Sequence, residues 1–301
     1  MHASDAPLPT PSDPSTGLAP LDALDALAAL LRQGPIVVIT GAGLSTASGI
    51  PAYRDRLGQW QHPKPVQHQD FMRLDAVRRR YWARSHVGWL TMGHAAPNTG
   101  HLALAELERR GHIALVITQN VDGLHHKAGS HAVLDLHGRI DRVRCMGCGH
   151  IHDRAVVQQW LSDANQQVDL APLLTVRAAP DGDAHVPEAC YEAFHVPACP
   201  ACGGLLKPDV VFFGDNVPRE RVEQAATAID HAAGLLIVGS SLMVYSGFRY
   251  ADQAHRAGKP VIAINQGVTR ADALLTAKVE MDCGEALAQL AQAVRATHPP
   301  A

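Results

Sequence analysis

No apolar run in this 301-residue chain reaches the roughly 18 residues that a membrane-spanning helix needs, which argues for a soluble protein. A basic excess is missing too. The 26 Lys and Arg stand against 29 Asp and Glu, a formal charge of −3, which speaks against a general nucleic-acid binder. Residues 1–20 lack the apolar stretch of a secretory signal and the arginines of a transit peptide. Their prolines, set among Ser, Thr, Asp and Ala, read instead as a disordered tail. Without a secretory signal the six cysteines are not expected to form a disulfide framework; they point to metal in a reducing compartment.

A third glycine is also missing where a dinucleotide fingerprint would have one. Ile36 to Ile39 reads as a buried parallel strand running into Gly41-Ala42-Gly43-Leu44-Ser45-Thr46. The spacing is Gly-x-Gly-x5-Gly, because Thr46 occupies the third fingerprint position. Gly41 and Gly43 would let the backbone turn sharply toward a ligand, and the residues after them could open a helix whose N–H groups face a pyrophosphate. A dehydrogenase would then place an acid about 20 positions on, to hold the adenine ribose. That interval instead holds a Pro- and Arg-rich segment, 51 to 84. The expectation is a nucleotide-binding α/β enzyme other than an ordinary hydride-transfer enzyme.

Further along, residues 21 to 31 pattern as a helix stopped by Gly34-Pro35. Residues 56 to 70 look irregular, and 70 to about 90 read as one helix. Another helix enters at Pro97-Asn98 and ends at Gly111. Apolar runs at 113–118, 133–136, 210–213, 235–238 and 261–264 read as further strands, with a closing helix over about 284–296. Strand, polar loop and helix in repetition predict a Rossmann-like parallel sheet with helices on both faces. We divide the chain into the tail 1–20, a nucleotide domain of 21–138 plus 210–301 with an insertion at about 51–99, and a small inserted module, 139–209. Ligands of such sheets bind beyond the carboxyl ends of the strands. Gly41, Gln119, Asn120, Asp122, His137, Gly239 and Asn265 all stand at such ends and should converge.

Cys145-x2-Cys148 and Cys199-x2-Cys202 form two knuckles suited to one tetrahedral zinc, closed by four thiolates and hence structural. Reduced thiols or a redox pair are the alternative, and Cys190 is a competing ligand without a knuckle partner. Of the 18 histidines most serve structure, but His137 shares its strand edge with Asn120 and Asp122. Its imidazole could act as a general base toward a ribose hydroxyl. Asp122 could anchor a carboxamide N–H such as that of nicotinamide, and Asn120 a ribose or a water.

Taken together, these stretches resemble the sirtuins, the NAD-dependent protein deacylases. The resemblance is carried by 41–55, 118–125, 136–138, the four cysteines, 207–215, Gly239-Ser240-Ser241-Leu242 and Ile264-Asn265, in order over about residues 21–296. Residues 67–71, 80–84, 179–183 and 244–247 are similar to the class II, sirtuin-four-like branch, as is the polar loop of about 162–190. Since the tail does not look mitochondrial, a cytoplasmic bacterial member is expected.

The resemblance implies a consumed co-substrate, NAD, and one structural zinc. Its pyrophosphate would lie on Gly41, Ala42, Gly43, Ser45 and the Gly239-Ser240-Ser241 turn, with adenosine toward Asn265 and Cys283. Ile50, Asn120 and Asp122 would enclose nicotinamide, Gln119 would also bind the cofactor, and Tyr53 and Arg54 would belong to a loop that orders with NAD. Acyl-lysine proteins would be the partners, pairing as an added strand with Val211, Phe212 and Phe213. His137, aided by Asn120, would be catalytic, moving the acyl group to ADP-ribose. Tyr81-x-x-Arg84 resembles a pair that binds an acyl carboxylate; a structural Arg on a helix surface is the alternative. Mono-ADP-ribosyl transfer, delipoylation and an NAD-sensing zinc-bearing regulatory module stay open, and a monomer without nucleic-acid or membrane partners is expected.

Overall fold

The computed structural model describes residues 20–61, 65–168 and 191–296. Residues 1–19 of the tail, residues 179–183, Cys190 and most of the 162–190 loop lie outside them. From the N-terminal side come α1 (Pro20–Gln33), β1 (Ile36–Thr40), α2 (Ala42–Ser45), α3 (His68–Arg73), α4 (Asp75–Met92), α5 (Thr99–Arg109), β2 (Ile113–Thr118), α6 (Leu124–Lys127) and β3 (Val133–Asp135). Next are β4 (Gly138–Cys145), β5 (Ile151–Asp153), α7 (Arg154–Ala164) and β6 (Leu206–Val210). The chain closes with α8 (Arg219–His231), β7 (Leu235–Val238), α9 (Tyr245–Arg256), β8 (Val261–Ile264), β9 (Ala277–Val279) and α10 (Cys283–Ala296).

Six strands form one sheet in the order β3-β2-β1-β7-β8-β9, every neighbouring pair parallel. This is the doubly wound order, whose direction reverses between β1 and β7. Because strand side chains alternate, β1 serves two cores at once. Ile36 and Val38 pack with α1, α5 and α10, while Val37 and Ile39 pack with α8 and α9. That two-sided burial is why β1 reads as an unbroken apolar run. Asn98 starts α5 by accepting from the Gly100 and His101 N–H groups, and His101 Nδ1 accepts from the Asn98 N–H in return.

A second sheet, β5-β4-β6, belongs to the small lobe. Here one expectation is corrected. The run 210–213 is not a strand of the large sheet: β6 ends at Val210 and pairs antiparallel with β4. A four-residue apolar run cannot by itself distinguish these two partners. Gly138 decides the join. Its φ is +84°, and a Cβ there would stand 2.0 Å from the Asp209 carbonyl. Beyond Val210 the chain crosses the cleft as an extended strap, with the Val211 N–H on His137 O (2.8 Å) and the His68 N–H on Phe213 O (2.9 Å).

The expected single helix of 70–90 is two, broken at Leu74 (φ −108°, ψ 117°), and the expected irregular stretch ends early, at His68. Phe71, Tyr81 and Trp82 of these helices share a core with Val143, Val157, Leu161 and Leu206 of the small lobe. The Trp82 indole N–H seals that contact on Leu206 O at 3.1 Å. The insertion therefore packs with the cysteine-bearing module. β9 was not legible at all, being three residues at a sheet edge.

Candidate active site

A cavity of roughly 1320 Å³ runs along the carboxyl ends of β1, β2 and β7 and under the 211–213 strap. Gly41, Ala42, Gly43, Gln119, Asn120, His137, Gly239, Ser240, Ser241, Asn265 and Cys283 line it. So do Tyr53, Arg54, Tyr81, Val211, Phe212 and Phe213. Ser45, Ile50 and Asp122 line a small recess that opens beside it, sharing Ala42, Tyr53, Gln119 and Asn120. Among the sequence candidates Arg84 lines neither; it is half-buried, one helical turn beyond Tyr81.

The glycines of the loop also serve the fold. The Gly41 N–H donates to Val238 O (3.1 Å) and the Gly43 N–H to Gly239 O (2.8 Å), so neither is left to face a phosphate. A Cβ on Gly43 would come within 2.8 Å of Gly239 O, and one on Gly239 within 2.3 Å of Leu44 N. The glycines let two strand-end loops interlock, forming one continuous backbone floor. The helix that follows is a single turn, Ala42–Ser45, continued by a 3₁₀ turn over Thr46–Ser48, so its dipole is short.

Around the recess the polar groups form a relay. Asn120 Nδ2 donates to Gly41 O and to Ser45 Oγ, both at 3.0 Å. The Ser45 hydroxyl then donates to Asp122 Oδ2 at 2.7 Å, while the Leu124 N–H holds Oδ1 at 2.9 Å. Burial raises the Asp122 pKa, and these two donors oppose the rise. A buried carboxylate beside an apolar wall formed by Ile50 suits a planar carboxamide.

His137 is held at both nitrogens, Nδ1 at 3.0 Å from Gln119 O and Nε2 at 2.8 Å from Ser246 Oγ. A carbonyl only accepts, so Nδ1 carries the proton and Nε2 is the free base. Burial lowers this imidazole's pKa below its ordinary value; the Gln119 carbonyl opposes the shift and the Arg221 charge adds to it. Neutral, with Nε2 toward the cavity, it is set to accept a proton. Ser246 was not singled out from sequence as a site residue; its only signal was membership of the 244–247 stretch.

The cofactor-loop candidates close on themselves. Arg54 pairs with Trp60 in an antiparallel bridge, its guanidinium 4.1 Å from the indole centroid, and Trp60 lies 5.9 Å from Phe213. Tyr81 is 2% exposed and packs edge-on against Phe71 at 5.5 Å, with Phe212 at 5.2 Å, so it reaches the cavity as part of an aromatic wall.

The four thiols of Cys145, Cys148, Cys199 and Cys202 lie within 4.8 Å of one another. Cys145 to Cys202 is 3.4 Å and Cys148 to Cys199 is 4.0 Å. Tetrahedral ligands at a zinc–sulfur distance of about 2.3 Å stand about 3.8 Å apart, so the residues fit that ion. The cavity likewise fits a dinucleotide, with a backbone floor at its middle and a carboxylate-bearing recess beside it.

Comparison with known proteins agrees. The Sir2 family profile matches residues 41–246. An NAD-dependent protein deacetylase of Xanthomonas campestris pv. campestris (strain 8004) is 56% identical over 262 residues, 87% of this chain and 88% of its own. One from Bordetella bronchiseptica is 54% identical over 255 residues, 85% and 92% of the two chains. Among solved structures, a Sir2–p53 peptide–NAD+ complex superposes with a TM-score of 0.71 at 29% identity, covering 89% of this chain and 97% of that one. By sequence, fold and the residues gathered at its strand ends, the chain belongs to the Sir2 family.

Proposed function

We propose that the protein is an NAD-dependent protein lysine deacylase, moving the acyl group of an acyl-lysine to ADP-ribose with release of nicotinamide. The observation that carries this reading is the pairing of a neutral, tautomer-fixed His137 with the Asn120–Ser45–Asp122 relay in one cleft. NAD, when bound, supplies a nicotinamide–ribose bond to be broken. The leaving ring would sit at the mouth of the recess around Asp122 and Ile50, which has room for only about 20 Å³ and must widen to take more than the carboxamide, while Asn120 ties that recess to Gly41 O. His137 Nε2 takes the proton of a ribose hydroxyl. The 211–213 strap would take the substrate peptide as an added strand. Cys145, Cys148, Cys199 and Cys202 would hold zinc with no ligand position left over, so the ion would fix the small lobe without entering the chemistry.

The test is mass spectrometry of products from NAD and a panel of acyl-lysine peptides. O-acyl-ADP-ribose, free nicotinamide and deacylated peptide are expected. ADP-ribose attached to protein, seen with radiolabelled NAD, would favour mono-ADP-ribosyl transfer, and NAD binding without nicotinamide release would favour a regulatory module.

A finer reading concerns the acyl group. An acidic acyl chain is the reading that Tyr81-x-x-Arg84 offers, because a phenol and a guanidinium can share one carboxylate; Tyr81 stands in the cavity wall, and Arg84 would have to turn in from beside it. Arg84→Ala should then cut turnover of glutaryl-lysine while sparing acetyl-lysine. Equal loss on both would make Arg84 structural, and acetyl-, lipoyl- and biotinyl-lysine belong in the same panel. A cytoplasmic, monomeric protein accompanies this reading, since free thiolates persist in a reducing compartment. Cell fractionation and light scattering test both points.

A further inference from the structure

On the rim of the cleft, beside the His137–Ser246 pair, stands a group that the reaction does not use. Tyr245 opens α9 and is 55% exposed. The guanidinium carbon of Arg249, one helical turn on, lies 5.3 Å from its ring centroid. That of Arg270, from the loop after β8, lies 5.8 Å from the same ring and 4.5 Å from Phe248. Tyr245, Arg249 and Arg270 all line the cavity.

Neither arginine has a carboxylate partner among the described residues. The acids nearest in sequence are engaged elsewhere: Asp252 pairs with Arg256 at 3.0 Å, and Asp272 with Lys278 at 3.2 Å and the Thr269 hydroxyl at 2.7 Å. Arg270 spends one N–H on Met243 O at 3.2 Å, and its backbone N–H on Ser241 O at 2.8 Å. Aromatic contact holds a guanidinium in place without neutralising it, which leaves in-plane N–H donors for an anion.

We propose that Arg249, Tyr245 and Arg270 form a clamp for a carboxylate side chain of the protein substrate, close in sequence to its acyl-lysine. The inference rests on the deacylase reading and names the substrate class for that site. The placing of Tyr245 and Arg249 on the helix that carries Ser246 favours a substrate side chain over the NAD pyrophosphate, while Arg270, bonded to Ser241 O, stands nearer the cofactor turn. The clamp projects from the solvent rim next to Ser246, whereas the resemblance would lay the pyrophosphate over the floor that the interlocked Gly43 and Gly239 loops build. An extended peptide crossing the cleft presents alternate side chains to one wall, so the preference should recur at every second position and not between.

The experiment uses the full chain with NAD and acetyl-lysine peptides that differ only in Asp, Ala or Lys at each flanking position. A glutaryl-lysine peptide with neutral flanks accompanies them. Wild-type kcat/KM should favour Asp over Ala about threefold to tenfold at the clamp positions, as one or two rim ion pairs would give. Added salt should shrink that ratio. Arg249→Gln and Arg270→Gln should each lower it, and the double variant should bring it near one. Tyr245→Ala, which removes the stack and no charge, should lower it in part, and it guards against misfolding of either arginine variant. A wild-type ratio of one overturns the clamp. So do variants that raise the KM for NAD, or lose glutaryl turnover, while the flank ratio stands. Failure of the wild-type protein to release nicotinamide with any peptide overturns the deacylase reading itself, and the clamp with it.

Discussion

His137 and Ser246 stand 109 positions apart in sequence, yet the imidazole Nε2 and the hydroxyl Oγ are 2.8 Å apart. Because Nδ1 donates to Gln119 O, the serine must be the donor. Its hydroxyl occupies the place a ribose hydroxyl would take, and it orients the ring meanwhile. His137→Ala is expected to fold normally and to lose at least about a hundredfold in turnover. Ser246→Ala should cost only about threefold to tenfold in kcat/KM. Since the serine bond favours the neutral imidazole, its loss should also move the acid limb of the pH–rate profile to higher pH. Wild-type acyl transfer by His137→Ala would sink the assignment.

The same burial sets the pH dependence. The His137 pKa lies below 6.5, so the base form predominates at neutral pH, and activity should fall only as pH drops below that value. Stability follows a related course through His101, fully buried and lowered to about 4 by desolvation. Between about 4 and 6.5 the unfolded chain binds the proton and the folded one does not. Its contribution, on the order of 3 kcal/mol, is present above pH 6.5 and lost as pH falls toward 4. Urea melts across that window measure it, and His101→Gln should flatten the slope.

Ser45→Ala cuts the link between Asn120 and Asp122 and leaves a buried carboxylate with one donor fewer. The KM for NAD and the rate of nicotinamide exchange should worsen together, by about tenfold. A change in peptide KM alone would contradict this role for the relay.

Zinc should be present at one ion per chain. Stripping it, or replacing Cys145 with Ser, should lower the melting temperature and abolish activity through loss of the small lobe, because the sheet β5-β4-β6 ends in the thiol cluster. Elemental analysis of the purified protein, paired with calorimetry, checks both parts.

Arg154 is fully buried, its guanidinium 5.4 Å from the Trp82 ring and 4.9 Å from the Trp89 ring, with Ser85 O and Gln158 Oε1 as acceptors. Burial brings its pKa down to about 10. It joins α7 of the small lobe to α4. Arg154→Ala should cost about 3 kcal/mol through the cavity it leaves. Arg154→Met, which fills that space without a desolvated charge, should cost much less. Urea titration of the two variants separates packing from charge.

Local features were legible where the physics is local. β1 is an unbroken apolar run because both of its faces are buried. Asn98 caps α5 through groups within three residues of itself, and each cysteine knuckle is a turn of four. Reading failed where a partner lay far off. The 210–213 run gave no sign that its neighbour is β4, and the break at Leu74 carries neither Gly nor Pro. Tyr81 and Arg84 look alike on a helix, but packing sends Tyr81 into the aromatic wall and leaves Arg84 off the cavity lining.

The chemical groups and the strand ends that carry them were readable residue by residue, since period, punctuation and motif spacing act over a few positions. What those groups do to one another came from the folded arrangement alone. Gly43 must lack a side chain because of Gly239, the proton-accepting nitrogen of His137 follows from Gln119 and Ser246, and the acids nearest in sequence to the rim arginines are engaged by Arg256 and Lys278. Each of these is a contact between segments brought together by burying two faces of one sheet, a long-range balance that no short stretch of sequence records.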